Sequence, residues 1–353
     1  MSLDKYAHLL KELHEEKEAN SKLSDKNDRI LLIDGLNTFI RVWSAVPSLN
    51  EDGLHIGGIT GFIRSVGALI RQYNPTRCII VFDGKNGSTR RKKLYPDYKA
   101  GRSFSINVNR AEHMKQSEDK EMESMRLQFA RLSMYLQQLP ISVLSVDGVE
   151  ADNVIGYIAT ELYKESEIII SSMDKDFLHL ITDKVKVWSP VKKKLYDKDL
   201  LLSEYKIPIQ NFLLWRTIDG DNSDKIGGVK GVGIKSLIAK VPIILEDKAL
   251  SVKDLISYAK QQITDGSKYA VYQKIVDSED ILHRNEKLMD LTANNFNGNT
   301  KMKIQRLVEQ DIPNLNRIDF RKMFTVDKMF NAIPNLDSWL TSTFNTLDAF
   351  GKK

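Results

Sequence analysis

One cysteine, no long apolar run and no paired histidines: each of these scarcities removes a class of protein. Cys78 is the single cysteine among 353 residues, so a disulfide-stapled fold is excluded and a reducing, cytoplasmic setting is expected. No uninterrupted apolar stretch approaches the roughly 18 residues that a membrane-spanning helix needs. The opening residues MSLDKYAHLLKELHEEKEAN are charged and have no apolar centre, which argues against a signal peptide. The six histidines are scattered singly, so none sits at zinc-ligand spacing. A phosphate-cradling loop of the ATPase kind is missing too. It needs Gly-Lys-Ser/Thr in a row, and here Ile234 separates Gly233 from Lys235.

What is present is a globular balance of 42% apolar and 28% charged residues, enough for one large domain or two ordinary ones. The net charge of +5 mildly favours a polyanionic partner. Residues 1–28 read as a charged extension. Four short apolar runs then follow: ILLI (30–33), CIIVF (78–82), ISVLSV (141–146) and EIIISS (167–172). Amphipathic helical segments separate them, at 59–72 and 124–138 for example. Uninterrupted apolar strands alternating with helices predict an α/β fold with a mostly parallel sheet buried on both faces. Residues 104–123 are polar and carry no strand pattern, as expected of an insertion. After Trp188 the texture is expected to be helical, with a glycine-rich patch at 227–233.

Each apolar run is followed by acids. ILLID ends in Asp34 and CIIVFD in Asp83; the third run leads to Glu150 and Asp152, the fourth to Asp174 and Asp176. In an open parallel sheet, functional groups collect outside the carboxyl ends of the strands. A single Asp there is ordinary turn or cap chemistry; a set converging on one edge is not. Two like charges about 4 Å apart repel by about 4 kcal/mol at an effective dielectric near 20. Such a cluster stays ionised only with cations among its members. All-oxygen ligands favour Mg²⁺ or Mn²⁺, and a cluster of this size suits two ions, as in phosphoryl transfer.

Two further stretches bear on substrate. DGDNSDKIGGVKGVGIKS (219–236) adds Asp221 and Asp224, then Gly228, Gly231 and Gly233. It predicts a hairpin between two helices whose backbone approaches a phosphate, with Lys235 adding charge. STRRKKLYPDYKAGR (88–102) interleaves Arg90, Arg91, Lys92, Lys93, Lys99 and Arg102 with Tyr95 and Tyr98. That mixture suits a nucleic-acid strand, with charge for phosphates and rings for bases.

The ordered set LLIDGLN, VFDG, RRKKLYPDYKAGR, GVEADNVIG, SSMDKDFLHL and GDNSDKIGGVKGVGIKS resembles the flap endonuclease and 5′-nuclease superfamily. It is most similar to the stand-alone replication nucleases of bacteriophages (the phage ribonuclease H type), over residues of about 30 to 291. The resemblance implies a divalent-metal phosphodiesterase acting on 5′ ends and flaps of branched DNA or RNA–DNA hybrids, leaving a 5′-phosphate and a 3′-hydroxyl. It implies one metal among Asp34, Asp83, Glu150 and Asp152, and a second among Asp174, Asp176, Asp221 and Asp224. Lys99 and Arg102 match basic residues aimed at the scissile phosphate, and Tyr98 is a candidate to stack on a base. Residues 103–125 fall where the family has an arch over the 5′ strand. The glycine patch matches a helix-three-turn-helix hairpin that grips duplex DNA, with a monovalent cation bound there.

The implied organisation is an extension (1–28), an α/β nuclease core (29–190) with its arch at about 90–125, a helical DNA-binding region (191–291) and a helical C-terminal extension (292–353). A monomer is expected, in the host cytoplasm if the gene is a phage's, with no membrane partner. A polymerase clamp or single-strand-binding protein would be the C-terminal extension's partner. One departure stands out: Asn153 occupies a position where the family commonly has Asp, which implies a weaker first metal site. The competing reading is a branch-binding module without catalysis; a ribonuclease with a similar acidic edge is a further one.

Overall fold

The computed structural model describes residues 25–101, 108, 110, 115, 117–292 and 296–351. Six strands form one sheet: β1 (Arg29–Asp34), β2 (Arg77–Asp83), β3 (Ser142–Val146), β4 (Glu167–Ser171), β5 (Val185–Ser189) and β6 (Lys194–Tyr196). Their order is β3-β2-β1-β4-β5-β6. The first five run parallel, and β6 returns antiparallel to β5. The four expected strands are all present. β5, which ends just past Trp188, and β6, which lies in the stretch expected to be helical, add two strands to these four; VKVWS and KLY are short and carry lysines that blur their apolar alternation.

β1 shows why the strands read as continuous apolar runs. Ile30 and Leu32 face one core, Leu31 and Ile33 another, and none is more than 2% exposed. The helices Gly35–Ala45, Gly57–Tyr73 and Glu118–Leu136 cover one face. The other face carries Ala151–Tyr157 and the helices that begin with Lys198–Tyr205 and run to Glu279–Met289. The segment after residue 296 belongs to both cores. Ile304 and Val308 of helix Gly298–Glu309 enter one, while Phe320, Phe324, Leu340, Phe344 and Leu347 enter the other. Arg77, fully buried, donates to the Val308 and Gln310 carbonyls at the end of that helix, where its charge complements the helix dipole. Among the described residues no helix is long and apolar enough to cross a membrane.

Strand order reverses direction at β1, between β2 and β4, which is the switch point where doubly wound sheets hold their ligands. Asp34 ends β1 at that point.

Candidate functional site

The acids after β1, β2, β3 and β4 meet along the carboxyl edge of the sheet. Asp34 caps helix Gly35–Ala45, accepting from the Asn37 amide at 3.2 Å and from the Ser172 hydroxyl at 3.1 Å. The protein enclosing it raises its carboxyl to about 7. Asp83 accepts from the Ala151 amide at 2.7 Å. The first turn of helix Ala151–Tyr157 is thus capped from the neighbouring strand, while Glu150, at the N-cap position, makes no cap bond. That frees Glu150 and Asp152 for other partners. Asn153 is half-buried one residue further on.

Two cations occupy this side of the edge. Arg91 Nη1 donates to Glu150 Oε2 at 2.6 Å and to Asp152 Oδ2 at 2.7 Å. Lys99 Nζ donates to Glu150 Oε1 at 2.6 Å. Burial alone would raise the Glu150 carboxyl, but the Arg91 and Lys99 charges outweigh it and hold it below its ordinary value. Tyr98 lies between the cations, its ring 4.8 Å from Lys99 Nζ and its hydroxyl 3.2 Å from Glu150 Oε1.

Here the sequence reading needs correcting at two residues. Arg91 is 7% exposed and Tyr98 is fully buried, so neither presents itself to solvent as a phosphate clamp or a base-stacking ring. A basic run reads the same whether its members face water or a buried carboxylate, and only the fold separates them. Arg90 and Lys92 are exposed as expected. Arg102 and residues 103–107, 109, 111–114 and 116 of the arch segment fall outside the described residues.

The second group is tighter. Carboxylate oxygens of Asp174, Asp176 and Asp221 all lie within 4.8 Å of one another. Asp174 caps the 3₁₀ turn Lys175–Leu180 by accepting from the Asp176 amide at 2.8 Å. Burial, with the neighbouring Asp176 charge adding to it, pushes Asp174 to about 8. Burial also takes Asp176 to about 6, with Arg216 pulling the other way. Burial would raise Asp221 as well, but the Ser223 hydroxyl and the Arg216 charge hold it below its ordinary value. The drive of Asp174 and Asp176 towards protonation is what a bound divalent cation would reverse. Oxygens sharing one Mg²⁺ sit about 3–4 Å apart around its octahedron. The donor set fits such an ion: all oxygen, and partly buried.

Arg216 organises this group and was not among the expected residues. Its Nη2 donates to Asp176 Oδ1 at 2.8 Å and to Asp221 Oδ2 at 3.0 Å, with 3% of its side chain exposed. A signal was available, since an arginine inside the apolar helix FLLWRTID must be buried with partners. Asp224 stands apart from the trio. It lies towards Lys99, whose Nζ is 3.9 Å from Asp224 Oδ2.

Asp221 belongs to a small antiparallel hairpin, Gly220–Asp221 with Ile226–Gly227, between helices Phe212–Asp219 and Ile234–Lys240. Its glycines differ in role. A Cβ on Gly228 would sit 2.3 Å from the Ile218 carbonyl oxygen, so the backbones there are in contact. Gly231 is left-handed, at φ +72°. Gly233 has open space around it, and Lys235 is exposed beside it.

Comparison with known proteins places this architecture. The family model for the 5′-3′ exonuclease N-terminal resolvase-like domain matches residues 29–206. The 5′-3′ exonuclease of Aquifex aeolicus is 28% identical over 211 residues, 59% of this chain and 67% of that protein. The flap endonuclease Xni of Shewanella sp. strain MR-4 is 31% identical over 212 residues, 59% of this chain and 73% of its own length. Among solved structures, the T5 D15 protein co-crystallised with metal ions superposes with a TM-score of 0.58 at 20% identity, over 90% of this chain and 99% of that one. A D15 flap endonuclease complex with DNA and metal ions also has a TM-score of 0.58, over 85% of this chain and 99% of that one.

Proposed function

The chain belongs to the 5′-3′ exonuclease family, and from that premise we propose that it is a 5′-nuclease dependent on divalent metal, Mg²⁺ or Mn²⁺. Its substrates would be the 5′ ends and flaps of branched DNA and of RNA–DNA hybrids, as met in removing primers or flaps during replication. The observation that carries this reading is the convergence of Asp174, Asp176 and Asp221 on one another at the carboxyl edge of the sheet, with Lys99 between Glu150 and Asp224 on the same edge.

Asp174, Asp176 and Asp221 would hold one ion; Asp34, Asp83, Glu150 and Asp152 would hold another. When bound, the ions supply Lewis acidity at the phosphoryl group and lower the pKa of water. The chain's own residues do the rest. Lys99 holds a positive charge where the scissile phosphate enters, and burial in a low-dielectric edge strengthens that charge's effect on developing negative charge. Arg91 bridges Glu150 and Asp152, offsetting part of their mutual repulsion. The hairpin glycines and Lys235 would follow the duplex backbone by contacts that read no base.

A 5′-labelled flap duplex incubated with Mg²⁺, and separately with EDTA, tests the reading. Short labelled products with Mg²⁺ and none with EDTA are expected. Binding of the flap in both conditions with no cleavage in either would establish the non-catalytic module instead.

A further inference from the structure

We infer that Arg284 is a positioning residue that sets the spacing between the turn carrying Lys99 and the hairpin carrying Asp221 and Asp224. The inference deepens the nuclease reading and rests on it. Arg284 sits on helix Glu279–Met289, away from the acidic edge and outside the acidic, basic and glycine-rich stretches.

Its guanidinium carbon stands 4.2 Å from the ring centroid of Tyr95. Tyr95 opens the turn that leads to Lys99: its amide closes the basic helix on the Arg91 carbonyl, and its carbonyl accepts from the Tyr98 amide. On the other side, Arg284 Nη2 donates to the Gly227 carbonyl at 3.2 Å. Gly227 pairs with Gly220, immediately before Asp221. One side chain therefore touches both elements that bring charge to the site.

The surroundings hold it to that task. Asn285, fully buried, donates to the Gly227 and Thr217 carbonyls at 2.9 Å each, and its amide oxygen accepts from Arg284 Nη2 at 2.9 Å. Beneath the pair, Tyr98, Ile226, Leu288 and Met289 form a small apolar cluster of their own, with Tyr95 packed against it. This cluster joins the turn, the hairpin and the helix. A planar guanidinium can stack on a ring while its in-plane N–H groups donate sideways, and an ammonium cannot do both. Lysine is therefore a poor replacement here.

The test uses the full chain, a 5′-flap duplex and Mg²⁺, measuring the single-turnover cleavage rate, the Kd for the flap and the salt dependence of that Kd. R284K and R284M are expected to lose about tenfold in rate, since a misplacement of about 1 Å can cost up to a hundredfold. Their Kd and salt slope should match the parent's. Y95F keeps the ring and should cleave normally; Y95A should resemble R284M, and the Y95A/R284M pair should be no slower than either alone. Parent-like rates in R284M and Y95A would overturn the inference. So would a weaker Kd with the salt slope reduced by about one, which marks a direct phosphate contact. Should the arginine variants fail to fold, the contrast between Y95F and Y95A decides. A parent chain that cleaves nothing would overturn the nuclease reading itself, and this inference with it.

Discussion

The Lys99 amide donates to the carbonyl oxygen of Asp224 at 2.9 Å, joining the basic turn to the glycine hairpin through the backbone. Lys99 takes a left-handed conformation, φ +54°, to make that bond. Its ammonium then reaches Glu150 at 2.6 Å. The side chain is thus held at the acidic edge by a backbone bond that any residue other than proline could make in principle. A change there tests the ammonium itself.

K99M is expected to cut the single-turnover rate on a 5′ flap by about 10²- to 10³-fold, the scale of one lost electrostatic contact to the transition state. Flap affinity should change far less. A variant that instead binds weakly and cleaves normally at saturation would assign Lys99 to substrate capture alone.

Arg216 gives the second prediction. Removing one partner from a buried charged network leaves the others uncompensated, at about 3–5 kcal/mol. R216M leaves Asp176 and Asp221 without their shared cation, so its melting temperature should fall. Added Mg²⁺ should then raise that temperature more in R216M than in the parent, because the ion replaces a charge the variant lacks. Equal shifts in the two proteins would mean that the trio does not hold the metal.

Why Arg216 escaped notice while Asp34 did not is a matter of what local sequence encodes. A strand end followed by Asp marks both an element and an edge, so Asp34, Asp83, Glu150, Asp152, Asp174 and Asp176 were legible together. Their partners come from other elements. Arg216 reaches back 40 residues to Asp176, and Arg91 reaches forward 59 to Glu150. Burial of Tyr98 likewise depends on Leu288 and Met289, about which the basic stretch carries no information. β5 and β6 were missed because strands at the margin of a sheet keep lysines on one face.

The glycines of the hairpin should respond unequally. G228A puts a methyl group 2.3 Å from the Ile218 carbonyl oxygen and 2.4 Å from that of Asp219, both backbone atoms that cannot swing aside. G233A places its methyl in open space at a φ of −99°, which alanine accepts. Duplex affinity should therefore drop in G228A and hold in G233A; the reverse order would show that close backbone packing is not what shapes this loop.

His55 predicts a pH effect on stability. Its Nε2 lies 2.9 Å from the Val46 carbonyl and its Nδ1 is 3.1 Å from the Gln128 amide nitrogen. That pairing suits a neutral ring which donates at one nitrogen and accepts at the other. Burial, the main cause, lowers the imidazole to about 4, against about 6.5 in an unfolded chain. Between those values the unfolded chain takes up a proton that the folded one refuses, so stability falls as pH falls. Above about 6.5 the contribution is constant. H55Q retains a donor and an acceptor but does not titrate, so its urea midpoint should fall less than the parent's between pH 7 and pH 5. Parallel losses would show that His55 is not the group responsible.

The C-terminal helices give the last prediction. The sequence suggested an extension outside the nuclease core, yet Phe320, Leu340, Phe344 and Leu347 are fully buried in one core and Ile304 and Val308 in the other. At about 1.5–3 kcal/mol for each fully buried large apolar side chain, these six alone contribute about 9–18 kcal/mol. That matches the whole net stability of an ordinary domain, about 5–15 kcal/mol. Truncation would also strip the Val308 and Gln310 carbonyls from the fully buried Arg77. A chain ending at residue 297 should therefore be insoluble, or lack a cooperative thermal transition. A truncated chain that melts cooperatively near the parent temperature would show instead that the nuclease core is complete without these helices.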